Sequence, residues 1–222
     1  MITETLADIA LKKIKHDILL AKFAPGSKIN IENLKKQYEI GLTPLREALN
    51  RLVSLGWVKF EGLKGFQVAP LSHEDVKDIY QVRELVEVEA LRLAITKGDA
   101  QWESEVLASF HRLHKLETDK AFCAHPNIIE WMEKYRAFHF ALLKACQSPW
   151  LLALGQQLFE QSERYRYLRM SKAGNFKQLI AKKSKAHQQL VKYILAREKK
   201  NALQLFAEQL KNTLEDVLLG SF

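Results

Sequence analysis

The chain has 222 residues, 47% of them hydrophobic and 27% charged, the composition of an ordinary globular protein with one large or two small cores. Its formal net charge is +8, and residues 1–70 carry 11 Lys and Arg against 7 Asp and Glu, a modest basic bias that suits phosphate contacts. Two cysteines, Cys123 and Cys146, give neither a metal spacing nor a disulfide framework. Glu4 and Asp8 interrupt any signal-peptide pattern, and no apolar run approaches the ~18 residues of a membrane span, so a soluble protein of the reducing cytoplasm is expected.

Leu6, Ile9, Ala10, Ile14 and Ile18 repeat at helical spacing and predict a first helix. Ile31, Leu34 and Tyr38 form the apolar stripe of a second over Ile31–Ile40, with Lys35 and Lys36 facing outward. Gly41-Leu42 breaks the pattern. Thr43 is then a good N-cap, with Pro44 at the first helical position, where its missing N–H costs nothing. Leu45, Ala48, Leu49, Leu52 and Val53 make the buried face of this third helix, while Thr43, Arg46, Glu47 and Asn50 face out. Gly56 closes it at the usual left-handed position. Trp57–Phe60 and Gly65–Ala69 read as short strands joined by Glu61-Gly62-Leu63-Lys64. This is a winged helix-turn-helix. An Arg and an Asn near the exposed amino end of a helix, beside a basic hairpin, suit the DNA major groove. A plain helical pair with a solvated polar face would carry the same local pattern.

Beyond Pro70 the strand signals stop. Ser72, with Asp75 three residues on, caps a helix predicted to reach Lys97. Further helices are expected over Gln101–Leu116, Pro126–Ala145, Trp150–Met170, Phe176–Arg197 and Asn201–Leu219, separated by Gly98-Asp99, Ser148-Pro149 and Gly174-Asn175. Six helices with short loops imply an antiparallel bundle. The fold expected is mainly α: an N-terminal winged helix-turn-helix (1–70) plus a C-terminal all-α antiparallel helical bundle (71–222).

Two sets of strings resemble a known family. Pro25-Gly26-Ser27-Lys28, then Gly41-Leu42-Thr43-Pro44-Leu45-Arg46-Glu47-Ala48-Leu49, and the wing Lys64-Gly65-Phe66-Gln67-Val68 are similar to the head of GntR-type bacterial transcription regulators. Tyr80-Gln81-Val82-Arg83 with Glu87, Phe138-His139, and Ala186-His187 resemble the FCD-type ligand domain of that family's FadR-like branch. The resemblance implies a homodimer that binds an operator in double-stranded DNA, with contacts from Lys35, Lys36, Thr43, Arg46, Asn50, Lys64 and Gly65. Leu42 departs from it, because that position is usually an Arg that touches DNA.

In many FCD domains a divalent metal is held by one Asp and three His. The matching positions here are Tyr135, His139, His187 and Gln209, which lack the carboxylate and one imidazole. His139 and His187 remain weak metal candidates, or satisfied core histidines. Without a metal, the same positions imply a pocket for a small anionic effector, first of all a carboxylate. Arg83 is its expected fixed cation, unless it forms only a surface pair with Glu87. Arg164, in the run Arg164-Tyr165-Arg166-Tyr167, is a second inward candidate, with Arg166 solvated. The implied function is a ligand-responsive transcription regulator, a repressor released by a small organic acid. A helical metal-binding enzyme with a winged-helix interaction module, or a non-catalytic protein-binding winged helix, are the alternatives; neither a di-metal carboxylate motif nor a nucleophile–base pair supports the enzyme.

Overall fold

The computed structural model describes residues 4–172, 174 and 176–220. Among these it holds ten α-helices and one two-stranded sheet: α1 (Leu6–Leu19), α2 (Ile31–Tyr38), α3 (Leu42–Ser54), β1 (Val58–Glu61), β2 (Gly65–Val68), α4 (His73–Lys97), α5 (Ala100–Thr118), α6 (Lys120–Ala124), α7 (Ile128–Leu143), α8 (Pro149–Lys172), α9 (Phe176–Leu195) and α10 (Lys199–Leu218). The chain divides into two compact units. One holds the chain as far as Val76 together with Glu160–Leu168. The other holds Lys77–Phe159 and the chain from Arg169.

In the first unit, α1 begins with a reciprocal cap: Asp8 N–H donates to Thr5 Oγ1, and Thr5 N–H donates to the Asp8 carboxylate. At the head of α2 the Asn30 side chain accepts from Glu32 and Asn33 N–H. α2 ends at Tyr38, earlier than the periodicity predicts, because Glu39 turns left-handed with φ 58°. The start of α3 also differs from expectation. Gly41, not Thr43, is the N-cap, so Pro44 occupies the third helical position. That position is tolerated because the first-turn N–H groups have no intrahelical partner in any case. α3 buries Leu45, Ala48, Leu49 and Leu52 against Ala10, Ile14 and Ile18 of α1 and Leu34 of α2. Each such aliphatic side chain contributes about 1.5–3 kcal/mol of transfer free energy. Gly56, at φ 74°, turns the chain from α3 into β1.

One buried charge ties the first two helices together. Asp17 of α1 accepts hydrogen bonds from Tyr38 Oη (2.7 Å), Gln37 Nε2 (3.2 Å) and Lys22 Nζ (2.7 Å). Burial pushes its carboxyl up, and the bonds from Lys22 and Tyr38 more than offset this and hold it below its ordinary value. The wing pairs antiparallel, Val58 with Val68 through Glu61 with Gly65. Its turn is a single 3-10 turn, Gly62–Lys64, closed by Gly65 at φ 75°, ψ −150°, backbone that only glycine adopts freely. Glu160, Gln161, Arg164 and Tyr165 complete this unit by meeting, in turn, Lys15 Nζ, the Leu55 carbonyl, the Ala69 carbonyl and Asp75.

The second unit holds helices and no strand among its described residues. Ser72 Oγ receives Asp75 N–H at the head of α4, as the Ser–Asp spacing predicts. α5 packs on α7 and α9, and α9 on α10. α7 starts at Ile128 rather than Pro126, because the Asn127 side chain accepts from Ile129 and Glu130 N–H. The short α6, capped by Asp119, adds a helix that periodicity could not find in five residues. Cys146 is a free, buried thiol. Asn175 of the expected Gly174-Asn175 break lies outside the described residues.

Candidate functional site

Two sites follow, one in each unit. In the first, helix α3 presents Thr43, Arg46 and Asn50 to solvent along one side, and α2 presents Lys35 and Lys36. Arg46 makes no ion pair among the described residues, so its guanidinium is available to a base edge or a phosphate. The side chain of Leu42, in the first turn of α3, is only half-buried and offers no charge. On the wing, exposed Lys64 lies 2.7 Å from exposed Glu61. Such a pair contributes little and yields readily to a phosphate. Leu42 apart, these side chains are exposed, and an extended polar partner suits them.

The second unit separates residues that the sequence placed in one pocket. Arg83 is 1% exposed and Glu87 is fully buried. The guanidinium binds both carboxylate oxygens, Nε to Oε1 (2.8 Å) and Nη2 to Oε2 (3.1 Å), and His139 Nε2 bonds the same Oε2 at 2.9 Å. Burial pushes the Glu87 carboxyl up, and the charges of Arg83 and His139 with their hydrogen bonds more than offset this, holding it at about 2. Arg83 is raised in turn by Glu87 against a burial effect of opposite sign. Arg83 is therefore neither the surface half of an ion pair nor a cavity-lining cation. Its i,i+4 spacing with Glu87 is the same in both settings, and only the bundle interior distinguishes them.

Tyr135, His187 and Gln209 do line one cavity, of about 420 Å³, with Leu179, Lys182, Lys183, Ala186, Asn212, Thr213, Glu215, Asp216 and Leu219. α9 supplies positions 179, 182, 183, 186 and 187, one helical face, and α10 supplies 209, 212, 213 and 216, another. Tyr135 stacks on Trp131 with ring centroids 5.0 Å apart and planes inclined by 7°. Gln209 Nε2 donates to the Ala186 carbonyl (3.1 Å), and Lys183 Nζ donates to Thr213 Oγ1 (2.9 Å). The His187 imidazole, 3% exposed, is kept neutral: burial, then Lys183 and His139, depress it to about 3. Its titration therefore does not fall near the ordinary 6.5.

Arg164 is not part of this cavity. It belongs to the first unit, donating to the Ala69 carbonyl with its guanidinium 5.6 Å from the Trp57 ring centroid. Arg166, expected in solvent, is also buried, with Glu163 at 3.6 Å. The sequence reading missed Lys183, one turn before His187, and Glu117 of α5, which lies behind that ring. The i−4 spacing could have found Lys183. Glu117 carries no local signal, because packing of α5 on α9 alone brings it there.

A divalent metal at the family's ligand positions does not suit these residues. His139 Nε2 is bonded to Glu87, Tyr135 is a phenol, and Gln209 is a neutral amide, which leaves too few strong donors.

The head and bundle define a two-domain DNA-binding regulator. Residues 6–68 match the family described as bacterial regulatory proteins, gntR family, and residues 78–212 match the FCD domain. The chain is 34% identical to the HTH-type transcriptional repressor GlaR of Escherichia coli (strain K12), over 89% of each chain. It is 37% identical to the HTH-type transcriptional regulator BphR of Paraburkholderia xenovorans (strain LB400), over 74% of this chain and 67% of that one. In fold it is similar to E. coli McbR/YncC, with a TM-score of 0.80 at 19% identity over 98% of this chain and 99% of the other. The protein belongs to the GntR family of bacterial transcription regulators and carries an FCD domain; it is a regulator, not an enzyme. Among the described residues no helix is long and apolar enough to cross a membrane.

Proposed function

We propose that this protein is a homodimeric, cytoplasmic repressor that leaves its operator when a small organic acid enters the FCD cavity. The observation that carries this reading is the cavity itself. It is closed on one side by Tyr135 and His187 and bordered by Lys182 and Lys183, with Asp216 already paired to Arg169 at 3.2 Å. Lys182 and Lys183 stand there against Glu215, with Asp216 offset by Arg169, and this net positive border favours an anion. The relative GlaR is named a repressor, which supports the sign of regulation. Residues 1–70 serve as the operator-binding head, where Arg46 and Asn50 read bases, Thr43, Lys35 and Lys36 hold phosphates, and Lys64 and Gly65 bring the wing to the minor groove. Residues 71–222 bind the effector and dimerise.

A second copy is favoured by apolar side chains left in solvent on the bundle. Leu85 is 75% exposed and Val82 36% exposed on one face of α4, and Trp150 and Leu154 are 79% and 46% exposed on one face of α8. Two heads then read a two-fold related operator. The test is selection of bound oligonucleotides from a random pool, followed by release with added small acids. A palindromic site and release by an acid are expected. A site with no two-fold symmetry, sedimentation as a monomer, or complexes indifferent to every small molecule would overturn the corresponding part.

A further inference from the structure

Behind the cavity floor lies a second, unusual pair. His187 Nδ1 is 3.8 Å from Glu117 Oε1, too far for a hydrogen bond, and this buried nitrogen finds no hydrogen-bond partner among the described residues. With Nδ1 turned to Glu117, Nε2 is the ring nitrogen left for the cavity. Glu117 is itself buried, and its Oε1 receives Trp131 Nε1 at 3.0 Å from α7. From α9 it faces Lys183, Ser184 and His187. On its own helix His114, one turn earlier, bonds Ser184 Oγ through Nδ1 at 3.0 Å. Lys183 reaches the cavity from the same turn of α9 as Ser184, and Gln209, with Nε2 given to the Ala186 carbonyl, turns its amide toward the same space.

We propose that Lys183, His187 and Gln209 form the seat of the effector's carboxylate, and that Glu117, behind His187, takes up one proton as the anion enters. The proposal rests on the reading of this cavity as the effector site. Lys183 supplies a charge-assisted N–H donor and Nε2 of His187 the second donor. The proton balance is simple. One solvent proton is added to a Glu117 oxygen, the new O–H donates to Nδ1, and the imidazole's single hydrogen then resides on Nε2, facing the ligand oxygen. Nδ1 gains the partner it lacks, and Glu117 loses the charge that would repel the incoming anion. Burial, which outweighs the Ser184 and Trp131 hydrogen bonds and the Lys183 charge, already pushes Glu117 up, toward the protonated form. The anion therefore binds more tightly as pH falls.

The test uses the full chain and straight-chain mono- and dicarboxylates of two to six carbons, with the corresponding amides as neutral controls. Calorimetric titration at about pH 6 and about pH 8, in two buffers of different ionisation heat, gives affinity and proton count. At least one acid is expected to bind with uptake of about one proton, while its amide does not. Lys183→Met should weaken it at least about tenfold, the loss of one charged hydrogen bond, and Lys183→Arg should restore most of that. Glu117→Gln should keep binding and abolish both proton uptake and the pH dependence. Wild-type affinity in the Lys183→Met variant would overturn the seat, and a zero proton count in the wild type would overturn the role of Glu117. If no acid binds while another small molecule releases the protein from DNA, the seat falls and the regulator reading stands; if nothing releases it, the reading beneath falls as well.

Discussion

Replacing Arg83 by Met tests the buried triad directly. Glu87 would lose the two guanidinium hydrogen bonds and keep that from His139, with no route to solvent. Its carboxyl is held at about 2 against an ordinary 4.5. That gap, at 1.36 kcal/mol per pH unit, corresponds to about 3 kcal/mol, and breaking a buried pair from one side costs about 3–5 kcal/mol. Because the native carboxyl is depressed, its stabilisation is complete above pH 4.5 and is lost as pH falls toward 2. In Arg83→Met burial dominates, the Glu87 carboxyl rises above its ordinary value, and stability instead declines as pH rises above 4.5. Urea unfolding in a Trp57→Phe background, where Trp102, Trp131 and Trp150 of the helical unit report alone, measures both effects at fixed protein concentration. The double variant Arg83→Met, Glu87→Leu should recover most of the loss and flatten the pH profile. An Arg83→Met protein within about 1 kcal/mol of wild type at neutral pH, or a double variant no better than the single, would refute the reasoning.

Arg46→Ala should cost about 1–3 kcal/mol of operator affinity and relax specificity at one position per half-site, read by gel-shift titration against single-base operator variants. Leu42→Arg should raise affinity for unrelated DNA and steepen the salt dependence by about one counterion per head; an unchanged slope would mean that position 42 points away from the duplex. Gly98→Ala should destabilise by more than about 2 kcal/mol in thermal melts, because a Cβ there would lie 2.1 Å from the Trp102 ring and 2.7 Å from the Ala94 carbonyl oxygen.

The head was legible because its signals are short-range. Gly56, Pro44 and the apolar repeat of α3 act within one turn, and an error of two residues at the N-cap leaves every outward side chain of that helix in place. The bundle was legible as helices and not as an interior. An Arg four residues before a Glu looks the same on a surface and in a core, so Arg83 and Glu87 gave no sign that His139 would join them. Arg164 and Arg166 likewise gave no sign of burial, since it is set by which residues pack over them. Tyr135, His187 and Gln209 came together through matching of strings alone. Glu117 lies 70 residues from His187 in sequence, and no local pattern joins them.

Helix α8 carries a consequence for how the molecule can be divided. Its Phe159 packs against the His139 ring, while the next nine residues, Glu160–Leu168, are built into the compact unit of the DNA-binding head. A fragment ending at the linker after Ala69 would lack Gln161 at the end of α3, Arg164 beneath the Ala69 carbonyl, and the cover over Trp57. The head is thus assembled from two stretches of chain some ninety residues apart, and the second arrives only when translation has passed most of the bundle. During synthesis the operator-reading surface is completed late, after α4–α7 of the sensor and before α9 and α10, which line its cavity.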